Sequence, residues 1–222
     1  DLFIMYTGGT TGMPKGVLWR QDDVYITGMG GTPYGSNKPH SSYEDAVAAA
    51  VAASANGQST MVMVPPLMHG AATWSAFWSF SSGGRIVLPN NVEKMDPADI
   101  LSAVERERAI SFSTIGDAVA RPLVEEIETG KYDLSGLFLI ANGGAPLSPA
   151  LKDRIIKALP HVYITDGAGS SEAGVQMSQM TNKDVAAETA VFTPTADNTV
   201  LDDTKQRELR PGEGGGWLAR KG

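Results

Sequence analysis

The 222-residue chain contains no cysteine and only three histidines, the widely spaced His40, His69 and His161. Without thiols there is no disulfide framework, no Cys-ligated zinc and no thiol catalysis, and scattered imidazoles argue against a His-based metal site. Basic side chains are in deficit: 18 Lys and Arg stand against 25 Asp and Glu, a net charge of −7. The basic residues form no cluster, which argues against a phosphate-neutralising surface and therefore against nucleic acid as a partner. Long apolar runs are also missing. None approaches the ~20 residues that a membrane-spanning helix needs, and no charged-then-apolar signal pattern opens the chain. A cytoplasmic address fits; peripheral contact with a membrane surface and the oligomeric state are left open. What remains, at 42% hydrophobic and 19% charged residues, is the composition of a globular chain long enough for one large domain or two small ones. The chain starts at Asp1 and runs at once into the apolar Leu2-Phe3-Ile4-Met5-Tyr6, so it reads as a piece of something longer.

Apolar patterning sets the organisation. Residues 2–6 and 17–19 read as two strands joined by a glycine-rich turn, residues 28–45 as a loop, and Ala46 to Ala55 as an alanine-rich helix. Strand and helix then alternate. Expected strands are Thr60–Val64, Arg85–Leu88, Ile110–Ile115, Leu137–Ala141 and Val162–Thr165. Between them fall helices with Trp74, Phe77 and Trp78 on one, Ile100, Leu101 and Val104 on the next, a third over 117–128 strained by Pro122, and a fourth with Leu151, Ile155, Ile156 and Leu159. Asp96-Pro97 and Ser148-Pro149 each read as a cap followed by proline at the first helical position. This alternation predicts a layered α/β fold with a mostly parallel sheet and ligands beyond the carboxyl ends of its strands. From Thr181 the text turns polar, with short strands at Ala190–Thr193 and Val200-Leu201. We therefore expect a core over 1–180 and the start of a β-rich subdomain over 181–222.

The loop Thr7-Gly8-Gly9-Thr10-Thr11-Gly12-Met13-Pro14-Lys15-Gly16 combines approachable backbone N–H groups, hydroxyl donors and one point cation, the chemistry a polyphosphate needs. It is not the common P-loop, because Met13-Pro14 separate Gly12 from Lys15. With the following Val17, it resembles the phosphate-loop signature of the adenylate-forming (AMP-binding) superfamily, fatty acyl-CoA synthetase type. Further blocks resemble that family in order. Pro65 to Gly70 is similar to the segment that places a His or an aromatic ring, here His69, between nucleotide and acyl pocket. Gly143-Gly144-Ala145-Pro146 resembles the segment passing the adenine ring. Asp166-Gly167-Ala168-Gly169-Ser170-Ser171-Glu172 resembles the aromatic-Gly-x-Thr-Glu block, with Ala168 where the family carries an aromatic ring. Pro211 to Gly222 resembles the stretch before a ribose-binding aspartate that lies beyond this sequence, as does the lysine-bearing C-terminal domain.

The resemblance implies ATP-dependent activation of a carboxylic acid to acyl-AMP and then acyl-CoA. ATP (bound later as AMP), Mg²⁺ and coenzyme A are the implied co-substrates and metal. It gives Lys15, Glu172 and His69 catalytic roles and Glu172 the metal. Nucleotide contacts fall to Thr7, Gly8, Gly9, Thr10, Thr11, Gly12, Lys15, Gly143, Gly144, Ala145, Asp166, Gly167, Ala168 and Ser171. Residues 1–222 by themselves are then expected to be inactive. Two other classes stay open: a non-catalytic nucleotide-binding module, and a serine hydrolase, since Gly169-Ser170-Ser171-Glu172-Ala173 nearly spells a nucleophile elbow. From Thr60 to Val92 there is no Asp or Glu, whereas an amino-acid pocket needs a carboxylate for the ammonium. His69, Ala71, Ala72, Trp74, Phe77 and Trp78 with the 143–145 turn are expected to surround a medium or long fatty acid or a sterol side-chain acid.

Overall fold

A computed structural model of the chain describes residues 1–8, 12–33, 35–36, 38–189, 191–210 and 212–220. Its first element is an antiparallel hairpin of β1 (Leu2–Thr7) and β2 (Lys15–Arg20), in register from Leu2↔Arg20 to Thr7↔Lys15. Helices α1 (Gln21–Gly28) and α2 (Tyr43–Ala55) follow. Then come β3 (Thr60–Val62), α3 (Gly70–Ser81), β4 (Arg85–Val87), α4 (Pro97–Arg106), β5 (Ser111–Thr114), α5 (Gly116–Ile127), β6 (Leu139–Gly143), α6 (Pro149–Ala158) and β7 (Tyr163–Ser170). The chain closes with β8 (Gly174–Thr181), β9 (Thr193–Pro194), β10 (Asn198–Leu201) and β11 (Trp217–Arg220).

The main sheet has seven strands in the order β4-β3-β5-β6-β7-β8-β9, with β4 to β7 parallel and β8 and β9 antiparallel. It is the mostly parallel α/β layer that the alternation predicts, each parallel strand reached through a helix. Because side chains alternate faces along a strand, Val62, Phe112, Ile140 and Ile164 form one row across four strands, none more than 2% exposed. Against this row pack Leu101, Val104, Leu123, Val124, Leu151 and Ile155 of α4, α5 and α6. The opposite face carries Met61 and Met63, covered by Ala72 and Ala76 of α3. One pleat beyond the apolar row, toward the strands' carboxyl ends, the same face changes character: Thr114, Asn142, Asp166 and Gln179 stand in register.

The hairpin lies outside this sheet. Its Met5 joins Val24, Met29 and Trp74 in a second core, and the Trp19 and Trp74 rings meet edge to face at 6.3 Å. Strands β10 and β11 form a separate two-stranded sheet.

Several expectations shift. The expected 28–45 loop is shortened, because α2 begins at Tyr43 with Ser42 accepting from the Asp45 N–H, and α1 occupies 21–28. Pro122 does not break α5; it removes the bond to the carbonyl of Ala118, an exposed residue. Ser148 precedes Pro149 as expected, but its side chain makes no capping bond; its N–H donates to Asp117 Oδ1 at 2.7 Å instead. Strand β7 continues five residues past Thr165, since β8 pairs with it as far as Ser170↔Gly174. The short strand expected at Ala190–Thr193 is β9, which starts at Thr193; Ala190 is outside the described residues.

Candidate functional site

The polar row at the carboxyl ends is built around Asn142. Its Oδ1 accepts the Gly116 N–H at 2.7 Å, which orients the amide so that Nδ2 donates to the Ala145 carbonyl at 2.9 Å and to Asp166 Oδ1 at 2.8 Å. The other carboxylate oxygen, Asp166 Oδ2, lies 2.5 Å from the Lys152 ammonium. Lys152 is 1% exposed and Asp166 5% exposed, so this is a buried ion pair. Among the described residues no donor meets Asp166 Oδ2 in hydrogen-bonding geometry, and the ammonium answers it by charge. Lys152 also donates to the Glu188 carbonyl at 2.6 Å, and Thr189 Oγ1 to the Leu147 carbonyl at 3.1 Å. These bonds hold Glu188 and Thr189 beside α6.

A cavity of about 260 Å³ opens on this cluster. One wall is the Gly144–Leu147 turn after β6, another is Gly167 to Gly169 of β7, and Thr189 and Phe192 close a third side, with Asn142, Lys152 and Asp166 at its polar end. The volume lies below the roughly 300–1,000 Å³ of pockets that enclose whole drug-sized ligands. It suits one flat ring system rather than an entire nucleotide. At Gly169 the register shifts, and a β-carbon there would collide with the Gly174 carbonyl; glycine is needed for the two strands to approach this closely.

Five residues singled out from sequence, Gly144, Ala145, Asp166, Gly167 and Ala168, come together in that cavity. Gly143 is one step away, paired with Gly167. No aromatic side chain stands at Ala168; Phe192 brings the cavity's aromatic ring from another segment. Lys152, Asn142, Thr189 and Phe192 are absent from the sequence reading. Asn142 carries a usable signal, two residues beyond Ile140 on the core-facing side of β6. Lys152 carries none, since a lysine beside Leu151 on an amphipathic helix reads as solvated.

Of the polyphosphate-type loop, Thr7, Gly8, Gly12 and Lys15 do not line the cavity. Lys15 is exposed at the start of β2, Thr7 Oγ1 faces the Lys15 carbonyl at 3.5 Å, and Gly8 and Gly12 are exposed. Gly9, Thr10 and Thr11 lie outside the described residues. The hairpin reaches the acidic turn through Trp19, whose Nε1–H donates to the Ser171 carbonyl at 2.8 Å. Arg220 donates to the Ala173 carbonyl at 2.7 Å from the other side. Glu172 projects into solvent from this clamped turn. Among the described residues no three His, Asp or Glu side chains gather as a metal cage. A lone carboxylate nevertheless fits Mg²⁺, which keeps water and takes its other oxygens from phosphates. Ser170 to Ala173 connects two antiparallel strands, whereas a nucleophile elbow needs a strand-to-helix turn, so the hydrolase reading fails on geometry.

The expected acyl wall is only partly formed. Trp74 and Ala72 turn inward, 8% and 1% exposed, and belong to the two cores beneath α3. His69, just before the first residue of α3, is exposed, as are Ala71 and Phe77; Trp78 is half-buried. A second hollow, of about 310 Å³ between α2 and α3, contains none of the residues picked from sequence.

Residues 2–222 match the family described as AMP-binding enzyme. The chain is 45% identical to the medium-chain acyl-CoA ligase Mig of Mycobacterium avium over 224 aligned residues, covering all of this chain and 40% of that protein. It is 36% identical to a medium/long-chain-fatty-acid and 3-oxocholest-4-en-26-oate CoA ligase of Mycolicibacterium smegmatis, with the same coverage. The chain thus spans about 40% of the length of these relatives. Among solved structures, the amide bond synthetase McbA of Marinactinospora thermotolerans superposes with a TM-score of 0.69 at 26% identity, over 98% of this chain and 40% of that one.

Proposed function

The chain belongs to the AMP-binding enzyme family, and from that premise we propose that its intact protein activates a carboxylic acid with ATP. A carboxylate attacks the α-phosphate, pyrophosphate leaves, and coenzyme A displaces AMP from the acyl adenylate. One observation carries this reading: the turn after β6 and the middle of β7, far apart in sequence, meet in one cavity with a buried, hydrogen-bonded carboxylate at its end. A flat base fits between glycine-rich backbones that leave its faces unobstructed. Asp166 accepts from its exocyclic amine.

Lys15 and the Thr7–Gly12 loop neutralise and orient the polyphosphate, so catalysis is mostly positioning and charge stabilisation. Mg²⁺ held by Glu172 would supply further positive charge to the phosphate oxygens. His69 stands at the start of α3, at the border between nucleotide and acid. The acid is proposed to be a medium or long fatty acid or a sterol side-chain acid; one relative's name says medium-chain acyl, and the other's says medium/long-chain fatty acid and 3-oxocholest-4-en-26-oate. With Trp74 and Ala72 committed to the core, the hydrocarbon contacts fall to His69, Ala71, Phe77, Trp78 and the 143–145 turn. Each buried methylene adds ~0.8 kcal/mol there. The site of action is proposed to be the cytoplasm.

A substrate screen with the intact protein tests this. We expect Mg²⁺-dependent pyrophosphate release with octanoate and longer acids. Preference for acetate or for an α-amino acid would overturn the acyl assignment.

A further inference from the structure

Lys15 and Glu172 stand on separate pieces of the structure. Lys15 opens β2 in the two-stranded hairpin, whereas Glu172 projects from the turn between β7 and β8. Among the described residues no strand pairing joins the hairpin to the main sheet. Two groups meant for one polyphosphate therefore need another device to fix their separation. A carboxylate on a free turn would have to be ordered each time a ligand bound, and that ordering costs affinity.

The tie is made by Trp19. Because side chains alternate along a strand, Lys15, Val17 and Trp19 share one face of β2, with about 14 Å of strand between the first and the last. The Trp19 ring packs on the core of Met5, Val24, Met29 and Trp74, edge to face with Trp74 at 6.3 Å. A phenylalanine would meet that packing need. What an indole adds is one donor, and here its Nε1–H is given to the Ser171 carbonyl at 2.8 Å, across 152 residues of sequence. Glu172 is the next residue. On its other side Arg220 of β11 donates to the Ala173 carbonyl at 2.7 Å and pairs with Asp197 at 3.5 Å. The turn also closes on itself, the Ala173 N–H donating to Ser170 Oγ at 3.2 Å. Glu172 is thus flanked by one carbonyl held from the hairpin and one held from β11.

We infer that Trp19 is a positioning residue: its indole N–H locks the Glu172 turn to the strand that carries Lys15, so that carboxylate and cation meet the β- and γ-phosphates of ATP as a preset pair. This inference rests on the polyphosphate reading of the hairpin and the acidic turn, and adds to it what sets their geometry. Without that N–H the turn keeps its Arg220 bond and pivots on it, and Glu172 is no longer ordered before the ligand arrives. AMP has neither outer phosphate. Its binding therefore does not sense the tie.

The test is equilibrium binding of AMP, and of ATP with Mg²⁺ in the absence of acid, to the intact protein and to Trp19→Phe, Glu172→Gln and the double variant. Trp19→Phe keeps a ring against Trp74 and leaves the half-buried Ser171 carbonyl to water, so it is expected to fold, which cooperative thermal unfolding checks. Benzothienylalanine at position 19, which keeps the bicyclic shape and puts sulfur in place of the N–H, is the second variant and carries the same expectation. Loss of the one hydrogen bond should weaken ATP binding about three- to tenfold and leave AMP binding within about twofold of wild type. In the Glu172→Gln background the same loss should change ATP binding by less than about twofold, because residues that act through one another are not additive. Equal weakening of ATP and AMP, an effect undiminished in the Glu172→Gln background, or unchanged ATP binding in both position-19 variants would each overturn the inference and leave the polyphosphate reading standing. Glu172→Gln binding ATP as tightly as wild type does would overturn the role of that carboxylate and the inference together.

Discussion

Gly116 has φ +54°, and a β-carbon there would come within 2.6 Å of the Ala145 side chain and 2.8 Å of the Pro146 carbonyl. The same residue donates its N–H to Asn142, so its lack of a side chain sets the distance between the start of α5 and the turn that walls the cavity. Gly116→Ala is expected to lose about 1–3 kcal/mol of stability through backbone strain, read by chemical denaturation, and to weaken AMP binding with it. Glu172 is the opposite case, exposed on a turn that carries no core. Glu172→Gln should lower turnover about 100-fold or more by removing a metal ligand. Stability should stay within about 0.5 kcal/mol, as at other surface positions; pyrophosphate release and a denaturation curve measure the two effects. At this scale the sequence showed its glycines and carboxylates clearly, because few residue types permit such turns or such chemistry. It concealed Lys152, since charge on a helix ordinarily means solvent and only the fold brings α6 over β7.

Helices and strands were legible where local signals agree with packing. Asp96 and Pro97 announce α4, and Asp96 Oδ1 does accept from the Ala98 and Asp99 N–H groups at 3.1 and 3.3 Å. Strand β7 ran past its expected end because its last residues, Gly167-Ala168-Gly169-Ser170, have weak strand preference and owe their conformation to pairing with β8. Likewise Trp74, Phe77 and Trp78 share a helix as read, yet the hairpin of β1 and β2 claims Trp74 for its own core. Periodicity identifies an amphipathic element without saying which partner covers it. Between α5 and α6, Arg154 donates to both oxygens of Glu128 at 2.8 and 2.7 Å. That guanidinium holds the Glu128 carboxyl below its ordinary value. A carboxyl lowered in the folded state stabilises the fold above its unfolded-state value and loses that contribution as pH falls through the folded-state value. Glu128→Gln should therefore melt slightly below wild type at neutral pH. The gap should close as pH drops below 4.5, the ordinary value for the group; thermal melts across that range check it.

At the scale of the molecule, strand-helix alternation sufficed for the α/β layer, because parallel strands need crossovers and the crossovers are helices. A short strand near 190–193 was read, but its antiparallel pairing through β8 onto the parallel sheet was not, since the pattern of a short strand does not say which partner it takes. Yet the chain between β8 and β9 supplies Thr189 and Phe192 to the cavity. The chain places phosphate-type groups on a hairpin, an acidic turn clamped between that hairpin and β11, and a base-sized cavity at the ends of β6 and β7. On the proposed function, this cavity receives the base of the nucleotide. A crystal structure of the intact protein with AMP tests it most directly. The adenine ring is expected between residues 144–147 and 167–169 with its amino group on Asp166; an adenine ring bound elsewhere, with the cavity empty, would contradict this assignment.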